Sequence, residues 1–345
     1  MEVLRSSFSD MLPEIEEAIA ECEFMALDVE FTGLNPASLA TPRDIADTVQ
    51  ERYGKVRHQS LDFILCQFGL CTFRWNEQRR EYEAKPFNFY LMPASSGIRG
   101  APDRYFQCQA STIDFLARNG FDFTKWLGYG VHFMNWDEER LFRERRENEI
   151  ANTLPGMQLD ERGLQFEQHA RQQIDRWLTT KEPSVSIACS NGYHYRIVYH
   201  LIQKSKRNAQ KRAKMEADVA QAIGFRRVID MMAQSRKPIV GHHMIMDLCQ
   251  VYHHLYKSLP EQVDLFAAGI LTLFPILLDT KYICMANPDI EMAEGRSIFR
   301  HSSAPTLPSM LERYVNRLYF VKSASMTCYN LMALALELFC RALNL

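Results

Sequence analysis

Apolar residues recur along the chain at two different spacings, and the changes between them mark out its elements. Leu12, Ile15 and Ile19 keep helical spacing behind Asp10, a candidate N-cap, with Pro13 in the first turn, so an opening helix is predicted. The stretch FMALDVEFTGL (24–34) then sets Phe24, Ala26, Val29 and Phe31 in an extended run that Thr32 and Gly33 close. Residues 35–60 read as a loop and a helix of mixed charge. DFILCQFGLCTF (62–73) and FNFYLMP (87–93) predict a strand pair separated by the charged NEQRREYEAK. STIDFLARNGF (111–121) predicts a helix with Ser111 and Asp114 as a capping box and Gly120 at its end.

After DEERLFRERRENE the pattern breaks. Residues 151–191 are polar and carry the turn-rich TLPG and CSNG, which suggests a boundary or an inserted module. Within it, NGYHYRIVYHLI (191–202) reads as a helix on which Arg196 and His200 share a face. KSKRNAQKRAK (204–214) follows, with six basic residues in eleven, suited either to a solvated helix or to phosphate contact. Apolar periodicity returns at AIGFRRVIDMMAQ. A strand PIVG (238–241) then leads through a Gly-His turn to a helix carrying Asp247, and FPILLDTKYI (274–283) predicts a buried strand ending at Asp279.

Composition narrows the class. With 345 residues, 47% hydrophobic and 24% charged, the chain has the make-up of a soluble globular protein large enough for one or two domains. A net charge of −2 rules out global attraction to nucleic acid, so any such binding is local. Nine cysteines without a Cys-x-x-Cys pair, several of them in apolar runs, point to buried thiols and a reducing intracellular compartment. The opening MEVLRSSFSD lacks the apolar core of a secretory signal, and the longest uncharged run, 265–278, is too short to span a bilayer; no membrane association is expected.

The chemistry concentrates on acids. In an extended run Asp28 and Glu30 point to the same side. Two like charges on one partly buried face repel each other, and a divalent cation between them relieves the repulsion. The ordinary alternative is an edge strand whose solvated face carries both. Asp247 lies on an apolar helix, where a lone Asp is usually a satisfied hydrogen-bonding group. Taken with the acid pair and the preceding Gly-His turn, it completes a ligand pattern for two-metal phosphodiester chemistry. A zinc site from His242, His243, His253 and His254 is a weaker reading, because adjacent histidines diverge around a helix.

At this point the motifs combine. DVEFTGL, ERYGKVRHQSLDFILCQFGLCTF, FNFYLMP, STIDFLARNGFDF, GFRRVID, IVGHHMIMDL and LFPILLDTK, in this order, resemble the poly(A)-specific ribonuclease (deadenylase) family of DEDD-type 3′-exonucleases. The resemblance implies an α/β, RNase-H-like core with a mixed central sheet and flanking helices. It places the nuclease core at 1–155 and 216–345, interrupted at 156–215 by a shortened Arg-x-x-x-His nucleic-acid-binding module and basic linker, with Arg196 and His200 in RIVYH as the local match. It implies Asp28, Glu30 and Asp247 as catalytic metal ligands for two Mg²⁺ ions. It also implies Phe31 and Leu34 along the path of the RNA 3′ end, and Lys281 on the substrate. The expected substrate is single-stranded RNA, a poly(A) tail or a small-RNA 3′ end, in the nucleus or cytoplasm, and a homodimer is compatible with the family.

The chain departs from the family's pattern at its far end. In the register fixed by Tyr329, Ser325 stands where the family's water-positioning histidine belongs, and Asn330 stands where the fourth acid belongs. The turn before Asp247 reads Gly-His-His rather than Gly-His-Asn. Asn offers a metal an oxygen but no charge, and serine has no pKa near neutrality. Loss of a tuned general base costs about 10²- to 10⁴-fold in rate. Two readings are open: an exoribonuclease with a weakened site, or an inactive relative that binds RNA or a protein partner without cutting.

Overall fold

A computed structural model of the protein describes residues 1–34, 47–94, 98, 100–151, 159–180 and 184–281. The described residues divide into two compact units: one of residues 1–34, 47–94, 101–138 and 222–281, the other of residues 98, 100, 139–151, 159–180 and 184–221. The second unit contains the described part of the 156–215 that the resemblance assigns to an insert, and extends past it on both sides.

The first unit is built on one mixed sheet. Its strands are β1 (Glu2–Val3), β2 (Phe24–Phe31), β3 (Leu65–Asn76), β4 (Glu81–Tyr90), β5 (Ile239–Gly241) and β6 (Leu277–Asp279), in the order β1-β4-β3-β2-β5-β6. β2, β3 and β4 are antiparallel neighbours, whereas β2, β5 and β6 run parallel. Its helices are α1 (Phe8–Glu21), α2 (Val49–Asp62), α3 (Ala110–Arg118) and α4 (Phe123–Tyr129), followed in the chain by α5 (Trp136–Ala151), most of which belongs to the second unit. After the second unit come α8 (Arg226–Ser235), α9 (Ile245–Val251) with a π-helical turn at Tyr252–Tyr256, and α10 (Val263–Leu273). Helices α1, α2, α8 and α9 cover a core in which Phe68 and Phe89 pack on Phe225 with centroids 4.9 and 4.8 Å apart.

Local chemistry moves several predicted boundaries. Ser7, not Asp10, precedes α1, and Asp10 lies in its first turn, where a negative charge meets the positive end of the helix dipole. Gln109 rather than Ser111 caps α3, and no side-chain capping bond forms there. Gly120 follows at φ +80°, a conformation that favours glycine. The charged stretch between β3 and β4 is mostly strand. Asn76 Oδ1 accepts the N–H groups of Gln78 and Arg79 at 3.0 Å each, which confines the turn to 77–80. Beyond it, Tyr82 is buried while Glu83 on the next position is exposed. β6 is half-buried rather than buried, and it follows β5 at one end of the sheet order.

The second unit is helical. α6 (Glu161–Thr180) and α7 (Gly192–Ile223) pack through Ala170, Ile174, Ile197 and Leu201, with Phe166 and Tyr193 against them. The helix α6 was not foreseen, because its single apolar stripe, 166, 170 and 174, is embedded in polar sequence. Asn191 Oδ1 accepts the N–H of His194 at 2.8 Å and so starts α7. Among the described residues no helix is long and apolar enough to cross a membrane.

Candidate active site

β2 is interior, hydrogen-bonded to β3 on one side and to β5 on the other, so the edge-strand explanation of its two acids fails. Its first four residues are buried and Val29 is too, whereas Asp28, Glu30 and Phe31 are half-buried. β2, β5 and β6 are parallel and their carboxyl ends lie together, the place where open α/β sheets bind ligands. The register of β2 against β3 shifts between Glu30 and Phe31, a bulge that re-aims the side chains at the end of the strand.

The segment beyond β2 is pinned on several sides. Thr32, fully buried, donates through Oγ1 to the Gln107 carbonyl at 2.6 Å and accepts the Ile64 N–H at 3.2 Å. Gly33 passes so close to Phe63 that a Cβ there would lie 2.2 Å from its ring, so no side chain fits. Gln109 Oε1 then accepts the Leu34 N–H at 2.9 Å. Phe31 thus packs partly on the core while Leu34 remains 42% exposed.

On the other side β5 ends at Gly241, and His243 takes a left-handed φ of +57° at the turn into α9. The carboxylate of Asp279, at the end of β6, secures this turn. It accepts the N–H groups of His243 at 2.9 Å and Met244 at 3.0 Å, and that of Lys281 at 3.0 Å. One acid therefore fixes both the start of the helix that bears Asp247 and the position of Lys281. The sequence reading missed this role, although an Asp-Thr at the end of an apolar strand was its only available signal.

The electrostatics tie the acids together. Burial and then the charges of Asp28, Glu30 and Asp279 push the Asp247 carboxyl well above the usual range. Burial raises Asp28 from 3.8 to about 6. Nearby, the Cys66 thiol is pushed up by burial and by Glu30. The Asp247 carboxyl thus feels the charges of the neighbouring acids. Among the described residues no three His, Cys, Asp or Glu side chains are already drawn into a metal-holding cluster. The donors are nevertheless those a hard divalent cation prefers, and the family's fourth position, Asn330, lies with Ser325 outside the described residues.

The histidine reading does not hold. His254 is buried, its Nδ1 accepting from Arg104 at 2.7 Å and its Nε2 facing the Phe63 carbonyl at 3.1 Å, and burial drives its pKa well down. His253 falls to about 4, chiefly through burial. His242 pairs instead with Thr280 Oγ1 at 3.0 Å, and burial lowers it as well. Among the described residues these rings form no three-ligand zinc cluster. Arg196 and His200 belong to the helical unit, on α7, exposed and half-buried respectively. Two rings overlooked in the sequence, Tyr195 and Tyr199, stand 67% and 66% exposed beside them.

Known proteins resemble this chain in sequence. Residues 3–329 match the CAF1 family ribonuclease family. The poly(A)-specific ribonuclease PARN of Xenopus laevis is 30% identical over 343 residues, covering 86% of this chain and 54% of that protein. The poly(A)-specific ribonuclease PNLDC1 of Mus musculus is 29% identical over 347 residues, covering 91% and 62%. The chain thus spans little more than half the length of these relatives. A solved structure of S. pombe Pop2p, a Mg²⁺- and Mn²⁺-bound form, overlays with a TM-score of 0.47 at 12% identity, over 99% of this chain and 90% of that one. None of these matches bears on a homodimer. The chain belongs to the CAF1 family of ribonucleases.

Proposed function

We propose that this protein binds the 3′ ends of single-stranded, adenosine-rich RNA and removes nucleotides from them slowly, by hydrolysis. One observation supports the reading: Asp28 and Glu30 lie on β2, Asp247 lies on α9 just after the neighbouring parallel strand β5, and the charges of the first two help to raise the Asp247 carboxyl. Asp28, Glu30 and Asp247 would hold divalent ions, which when bound activate a water and stabilise the leaving oxygen. Phe31 and Leu34 offer apolar surface to the terminal bases. The Lys281 ammonium faces phosphate, and Asp279 keeps its backbone in place. In the reaction a water oxygen bonds to the last phosphorus and the bond from that phosphorus to the preceding 3′ oxygen breaks. The water proton is lost, the freed 3′ oxygen gains one, and 5′-AMP departs.

In the helical unit, Arg196 and His200 with the exposed rings of Tyr195 and Tyr199 suit single-stranded RNA, with charge for phosphate and rings for bases. The slow rate follows from Ser325 and Asn330. Neither supplies the base or the fourth negative charge, so transition-state stabilisation suffers more than ground-state binding. A gain-of-function experiment tests this. Ser325→His with Asn330→Asp should accelerate Mg²⁺-dependent shortening of oligo(A) at least tenfold with little change in its Kd. Equal rates for the two forms would refute the assignment of these positions.

A further inference from the structure

The basic run 204–214 has no part in the nuclease chemistry, yet α6 and α7 leave a cleft of about 380 Å³ beside it. Ile174 and Leu201, both buried in the helix pair, form its apolar floor. Along α7, Lys204, Ser205 and Asn208 line it at spacings of one and four residues, and Arg212 follows a turn later. Arg171 and Asp175 face them from α6. Arg171 pairs with Glu167 at 2.5 Å through one Nη. Arg212 pairs with Glu147 through Nε and one Nη at 3.2–3.3 Å. Each guanidinium therefore keeps further N–H groups. Among the described residues, the Lys204 ammonium and the Asp175 carboxylate form no ion pair. Cations that merely solvate a helix project from a convex face. Here three of them, with a hydroxyl and an amide, line a recess.

We propose that this cleft binds one nucleotide unit of single-stranded RNA. The phosphodiester is held by Lys204 and the remaining N–H groups of Arg171 and Arg212, assisted by Ser205 and Asn208, and the ribose 2′-hydroxyl donates to Asp175. The volume lies at the small end of the roughly 300–1,000 Å³ range of small-ligand sites, suited to one nucleotide and too small for a duplex. A single carboxylate among three cations fits a ligand that carries both a phosphate and a hydroxyl. Arg196 and His200 lie earlier on α7 and do not line this cleft. The proposal rests on the reading of the chain as an RNA-binding nuclease.

The test uses the full chain in EDTA, so that RNA is bound but not cut. Binding of a fluorescent 20-nucleotide oligo(A) is followed by anisotropy across salt concentrations, for the natural protein, Lys204→Gln with Ser205→Ala, and Lys204→Arg. Binding of AMP is measured by calorimetry in parallel, and thermal melting confirms that each variant folds. The double variant is expected to bind the oligomer about 5- to 10-fold more weakly at low salt, with a log–log salt slope shallower by about 0.7, the value for one phosphate contact to a single strand. Lys204→Arg should retain the natural slope. AMP binding that falls in the double variant while oligomer binding is unchanged would overturn the RNA assignment and leave a free-nucleotide site. An unchanged oligomer slope and unchanged AMP binding would overturn the cleft altogether. If the natural protein fails to shorten oligo(A) in Mg²⁺ but its salt slope still depends on Lys204, the cleft stands and the exonuclease reading falls. If the natural protein binds no oligomer at all, both fall.

Discussion

Replacing Asp28 by asparagine tests whether the acids at the sheet end are a burden that a cation relieves. Burial raises the Asp28 carboxyl from 3.8 to about 6. A carboxyl raised in this way contributes stability below its unfolded value, and that contribution is lost as the pH climbs through its folded value. The metal-free protein should therefore weaken between about pH 4 and pH 7. At about 1.4 kcal/mol per pH unit the rise amounts to roughly 3 kcal/mol, and partial access to water reduces it to about 1–2 kcal/mol. Asp28→Asn removes the charge and keeps the shape. At pH 8 in EDTA the variant should melt about 2–8 °C above the natural protein, at the roughly 2–4 °C per kcal/mol of chains this large, and at pH 4 the two should coincide. Mg²⁺ should then raise the melting temperature of the natural protein at pH 8, by mass action on the folded state, with a much smaller effect on the variant. Differential scanning calorimetry at the two pH values, with EDTA or Mg²⁺, reads all four combinations. A variant that is less stable than the natural protein at pH 8 in EDTA would show that the Asp28 charge is already compensated and would refute the reasoning.

Asp279→Ala removes the acceptor of three backbone N–H groups and should lower stability by about 2–3 kcal/mol in urea unfolding, with Asp279→Asn recovering part of the loss; a change below about 0.5 kcal/mol would deny its part in holding α9. Gly33→Ala drives a methyl group into the Phe63 ring and should cost about 1–3 kcal/mol, measured by the same unfolding, whereas a neutral result would mean that the segment 31–34 yields easily. Lys281→Ala should weaken oligo(A) binding and make its salt dependence shallower by about 0.7, and an unaltered slope would mark Lys281 as a lysine without phosphate contact.

Much of this was legible in the sequence because the physics was local. The strand of Asp28 and Glu30, the Gly-His turn, the helix of Asp247 and the strand before Asp279 each carry their own spacing and punctuation. That Asp247 feels the charges of Asp28 and Glu30 depends on β2 and β5 being parallel neighbours, a pairing between residues more than two hundred positions apart that no local pattern encodes. The role of Asp279 was hidden for the same reason, since the N–H groups it accepts at His243 and Met244 lie on a different element. The turn at 77–80 was missed because charged residues on the open side of a strand look like a linker until Asn76 is seen to close the turn. The four histidines suggested a metal by composition, but burial and the partners Arg104, Phe63 and Thr280 decided otherwise. Helix α6 was obscured by its low overall hydrophobicity. The cleft between α6 and α7 needs both helices before it exists.

The central claim is that this chain shortens RNA from the 3′ end through its acid cluster, and a time course of 5′-labelled oligo(A) in Mg²⁺ tests it most directly. The natural protein should produce a slow ladder of products, each one nucleotide shorter than the last. Asp28→Ala should abolish the ladder while oligo(A) binding in EDTA persists. A ladder that survives Asp28→Ala, or oligo(A) that is bound by the natural protein and never shortened, would contradict the account.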